Sequence, residues 1–258
     1  MEIQQKLNYK EMAFIEKSSN PAFSSKLFDK QGFAAEGQRM TVQGTVNKSL
    51  ILFVCTIIPA YYVFDMFLAG SGTTSFLLIG GIGGFIAALV TIFKPTVAPI
   101  SAPIYAALEG LFLGGVSALA ESMYPGIAFQ AVILTFGTMF VMLFAYRSGL
   151  IKVTEKLRSG IIAATGAIFV VYMINFVMSM FGSSMPMMHE GGLMGIGFSL
   201  LVIGIAAMNL LLDFDFIEKN ARQGAPKYME WFSAFGLMVT LVWLYLEILR
   251  LLMKLNRD

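Results

Sequence analysis

Apolar residues along this chain gather into runs of about 20 positions, each closed by polar or Gly/Pro punctuation. Seven such runs stand at about 48–69, 76–93, 101–121, 127–147, 159–181, 193–216 and 231–253. As a helix, each is long enough to cross about 30 Å of hydrocarbon. Breaks such as GSGTTS (70–75), KPTVAP (94–99) and MYPG (123–126) carry turn residues. The pattern predicts an all-α integral membrane protein, a bundle of seven transmembrane helices over 48–258. Residues 1–47, polar and mixed in charge, form a separate N-terminal segment.

Composition agrees: 57% of the residues are hydrophobic and 13% charged, with a mean hydropathy of +0.74, more apolar than a soluble α/β domain needs. No basic stretch followed by a short apolar one opens the chain, so the first run is expected to act as an uncleaved anchor. Cys55 is the only cysteine, which excludes an internal disulfide and a Cys-clustered metal site. A net charge of +2 gives no reason to expect nucleic acid as a partner.

The positions of the charges say more. Lys6, Lys10, Lys17, Lys26, Lys30, Arg39 and Lys48 precede or open the first run. Lys94 lies in the second loop, Arg147, Lys152, Lys156 and Arg158 in or beside the fourth, and Lys219, Arg222 and Lys227 about the sixth. The first, third and fifth loops have no Lys or Arg, which predicts a cytoplasmic N-terminus and an outward C-terminus in the cell membrane. Arg250, Lys254 and Arg257 break this rule and leave open a re-entrant or buried last span.

Within the N-terminal segment, Asn20-Pro21 has the form of a helix cap, with Phe23, Leu27 and Phe28 opposing Lys26 and Lys30. This is the pattern of an amphipathic surface helix, with a plain tail as the alternative. Gly80, Gly84 and Ala88, and again Ala106, Gly110 and Gly114, recur every fourth residue, as strips that let helix backbones approach closely in lipid.

Charges inside spans are costly, about 2.5 to 3.5 kcal/mol each at the bilayer centre, so each needs a partner, water or a proton. Those within the runs are Glu109, Asp213, Asp215, Glu247 and Arg250. Asp213 and Asp215 stand about 200° apart on a helix, so one is expected to face the interior. Asn209, one turn earlier, favours Asp213, with Asp215 turned to the headgroups. Glu247 has two candidate partners. Arg250 offers an ion pair three residues on, and Asp213 a shared proton between two carboxylates, the design of a pH sensor. Depth separates Asp213 from Glu247 unless the last helix is displaced inward. With Glu109, three converging carboxylates would suit a hard cation such as Ca²⁺.

The stretch LLLDFDFIEKNARQG (210–224), followed by LVWLYLEILRLL (241–252), resembles the paired C-terminal signature of the Bax inhibitor family, also called the transmembrane Bax inhibitor motif family. NPAF (20–23), MTVQGTVNKS (40–49), APIYAALEGLFLGGVS (102–117) and YPGIAFQAVILTF (124–136) are similar to its bacterial branch. The resemblance implies a seven-helix bundle with the last helix central. It also implies a pH-sensitive calcium leak governed by two carboxylates, at Asp213 and Glu247, the second being Glu where the family commonly has Asp. Asp215 and Glu109 are further candidates for the cation path, and bound metal would be no more than transient Ca²⁺ at Asp213 and Glu247.

An alternative of another class is a membrane interaction protein that modulates a membrane-bound protease or a stress response. An intramembrane enzyme is disfavoured, because there is no HExxH and His189, the sole histidine, lies in an outer loop. Lys254 stands too near the end of its run for a retinal attachment.

Overall fold

The computed structural model describes residues 39–70, 72, 74–182 and 192–257. The surface helix expected about residues 20–30 and His189 lie outside them. Among the described residues seven α-helices follow one another: α1 Val42–Leu68, α2 Thr74–Phe93, α3 Ala98–Met123, α4 Ile127–Arg147, α5 Glu155–Met180, α6 Leu193–Arg222 and α7 Met229–Leu255. All seven are long and apolar enough to cross a membrane.

Several helices outrun the apolar stretches that predicted them, and local chemistry accounts for it. α1 begins six residues early because the Thr41 side chain accepts a hydrogen bond from Gly44 N (2.9 Å) and Gln43 bonds to Asn47 one turn on (3.0 Å). α6 continues six residues past Phe216, where Lys219 pairs with Asp215 and Arg222 with Glu218 at the i,i+4 spacing that supports helix. Gly224 then takes a positive φ of 71°, a backbone form that costs glycine little, and turns the chain into α7.

α7 lies in the middle. It packs against α1, α3, α4 and α6, and 78% of its most apolar window is buried, against 11% for α5. α2 stands outside, against α3. The glycine strips do what their spacing predicts. A Cβ on Gly110 would come within 2.3 Å of the Thr56 carbonyl, one on Gly114 within 2.3 Å of the Ala60 carbonyl, and one on Gly80 within 2.6 Å of the Leu108 carbonyl. Backbone therefore meets backbone along the α1–α3 and α2–α3 seams.

The α1–α4 seam is looser. Phe53 and Phe136 meet edge to face there, ring centroids 5.6 Å apart, between two mostly apolar cavities, one of about 380 Å³ floored by α6 and Leu237 and one of about 170 Å³ floored by α7.

α7 runs antiparallel to α6 for its whole length, so the last span is neither re-entrant nor short. The loops rich in Lys and Arg gather at one end, called the basic end below. There Met40 N donates to Ala225 O (2.6 Å) and Arg39 bridges to Pro226, tying the segment before α1 to the α6–α7 loop.

Candidate functional site

Buried acids are spread along the α6–α7 pair at three depths. Nearest the basic end, Asp215 is 8% exposed and pairs with Arg158 of α5 and with Lys219 (3.1 Å). Asp215 was expected to face the headgroups. It is buried because the first turns of α5 cover that side of α6 and bring Arg158 with them. Asp213, 1% exposed, is buried as well, so both faces of α6 are interior. One turn further along α6, Asn209 donates to the Thr165 hydroxyl of α5 (2.8 Å) and to Ile205 O (2.9 Å).

Toward the opposite end, Glu247 is 2% exposed and held from two sides. Nη1 of Arg250 donates to both its oxygens (2.9 and 2.8 Å), and the Tyr172 hydroxyl of α5 donates to Oε1 (2.6 Å). The same Nη1 donates to the Tyr172 oxygen (2.9 Å), and the guanidinium lies 5.4 Å from the centre of the tyrosine ring. One turn on, buried Lys254 donates to Gly195 O and Ser199 Oγ, both at 3.0 Å. Two of the basic residues that broke the charge rule are thus used inside the bundle.

These contacts fix the relative depth of the two proposed sensor acids. Asp213 lies 14 residues from Ser199 along α6, about 21 Å, whereas Glu247 lies seven residues from Lys254, about 10 Å. Through α5, the Thr165–Asn209 and Tyr172–Glu247 bonds give a stagger of about 16 Å. Either measure leaves more than about 10 Å between Asp213 and Glu247 along the bundle axis. They share no proton, and they cannot share a calcium ion, whose oxygen ligands stand about 2.3 to 2.6 Å away. Of the two partners open to Glu247, the structure selects Arg250.

Glu109 does not join them. It is half-buried on α3 and turned to α2, with Oε2 3.1 Å from the place of a Cβ on Gly84. Among the described residues no three His, Cys, Asp or Glu side chains form a metal-holding group. The convergence expected of Asp213, Glu247 and Glu109 fails because Asp213 and Glu247 stand at different depths and Glu109 is turned to another seam.

One buried acid escaped the sequence reading. Glu230, in the first turn of α7, is fully buried and accepts from Thr41 N (3.1 Å) and Thr41 Oγ1 (3.0 Å), with Lys48 and Lys227 each 3.7 Å away. A Cβ on Gly44 would stand 2.0 Å from its Oε1. An acid in a helix's first turn is ordinary for the dipole, so only the distant pair Thr41 and Gly44 signals its burial.

Residues 20–257 match the family model described as Bax inhibitor 1 like. No curated protein and no solved structure matches the chain.

Proposed function

Because the chain belongs to the Bax inhibitor 1 like family, we propose that this multi-pass membrane protein is a passive, proton-sensitive cation leak of the cell membrane, with calcium as its cation. The observation that carries this reading is the ladder of acids along α6 and α7. Asp213 is buried at mid-depth, between Glu247 closed by Arg250 and Tyr172 at one end and Asp215 closed by Arg158 and Lys219 at the other. Cations pass the acids in series rather than resting in one shared site. The basic end faces the cytoplasm.

The same ladder supplies the gate. An ionised Glu247 holds Arg250 across its entrance, and a protonated one has no charge for the guanidinium to neutralise. Loss of either ion pair frees its arginine and opens the path. The test is calcium flux through liposomes at several pH values. Glu247→Gln, which copies the protonated acid, is expected to raise flux at neutral pH and flatten its pH dependence. Asp213→Asn is expected to lower flux about tenfold, a change worth about 1.4 kcal/mol. Unaltered flux and pH response in both variants would overturn the proposal.

A second reading, modulation of a membrane-bound protease or a stress response, draws on the tie between Met40 and the α6–α7 loop, by which a partner gripping the N-terminal segment would pull on α7. Under it, deletion of residues 1–38 removes the effect while carboxylate variants retain it.

A further inference from the structure

At the end remote from the basic loops, the mouth of the bundle holds an open cavity of about 400 Å³ between the end of α3, α5 and the last turns of α7. Its polar lining is Arg250, Lys254, Arg257, Tyr124, Tyr172 and Asn175. Three cations and no carboxylate face this space among the described residues. The acids nearby are turned elsewhere: Glu247 stands behind Arg250, and Glu121 accepts from the backbone N–H groups of Gly126 (2.6 Å) and Ala128 (3.1 Å).

Arg250 shows what the cavity is shaped to take. All of its hydrogen bonds among the described residues leave from Nη1, to Glu247 and Tyr172. Those bonds and the tyrosine ring fix the plane of the guanidinium. Nη2 and Nε, on a side chain 40% exposed, remain as donors at the cavity wall. A planar fork held in place, beside an ammonium and a second guanidinium, is the arrangement that recognises a tetrahedral oxyanion. It also accounts for three basic residues at an end whose loops contain no Lys or Arg.

We propose that this cavity binds a phosphate group, with Arg250 as its principal donor and Lys254 and Arg257 supplying positive charge from the wall. The phosphate belongs either to an anionic phospholipid of the adjacent leaflet, whose first methylenes would meet Met123 and Met253, or to a soluble phosphate compound.

The full chain, purified in detergent and stripped of lipid, distinguishes the two. In one arm it is equilibrated with mixed vesicles of phosphatidylglycerol and phosphatidylcholine, and retained lipid is weighed by native mass spectrometry. In the other, inorganic phosphate is titrated at constant ionic strength against chloride while thermal unfolding is followed. Selective retention of phosphatidylglycerol alone supports a lipid headgroup, and stabilisation by phosphate supports a soluble anion. Arg257→Gln, at an exposed position past the helix end, and Arg250→Lys, which keeps the charge but loses the fork, should each weaken the preference about tenfold. Arg147→Gln, an exposed basic residue at the other end of the bundle, should leave it unchanged. No preference in either arm overturns the proposal. So does a preference that survives both cavity variants, or one that Arg147→Gln abolishes equally.

Discussion

At Arg250 a single nitrogen bonds both oxygens of a buried carboxylate and a tyrosine hydroxyl. Removing the arginine leaves Glu247 charged and 2% exposed. Arg250→Ala is therefore expected to cost about 3 kcal/mol, the lower end for a broken buried pair because Arg250 itself is partly in solvent. Arg250→Ala with Glu247→Gln should recover part of that loss, and thermal unfolding of the single and double variants checks it. The Glu247–Arg250 pair was legible in the sequence, since residues three apart on a helix are neighbours. Arg158, Lys254 and Glu230 were not. Each sits near the end of an apolar run, where a charge reads as solvated, and each is buried by a helix remote in sequence: Arg158 by α6, Lys254 by the start of α6, Glu230 by the start of α1.

Seams between helices were more readable than single residues. The four-residue strips on α2 and α3 announced close approach, and the backbone of α1 does pass where a Cβ on Gly110 or Gly114 would stand. What the spacing could not specify is which helix each strip faces, because that depends on the order of helices around the bundle. Gly110→Ala must push α1 away from α3 and is expected to destabilise by about 1 to 3 kcal/mol. Gly137→Ala makes a control inside α4, with nothing within 4 Å of the added methyl. There, alanine's helix preference should give a gain of up to about 1 kcal/mol. Denaturation in one detergent would compare the two. The distance between the sensor acids was the least legible feature, since it rests on the register of α6 against α7, which contacts such as Lys254 to Gly195 O set and no local pattern encodes.

For the molecule as a whole, the number of helices and their rough limits followed from hydropathy, whereas the central place of α7 came from the family resemblance and is met in the packing. That place has a consequence for how the protein is made. The helix on which α1, α3, α4 and α6 lean is made after the other six, which must therefore wait in the bilayer around a slot still filled with lipid. The α1–α4 seam, closed by little more than the Phe53–Phe136 ring contact, is the natural door for its late arrival. A chain ended at residue 228 should still insert six helices but remain open to protease in its loops and accumulate poorly. Supplying residues 225–258 as a separate peptide should restore protection, which pulse-chase labelling with limited proteolysis would reveal.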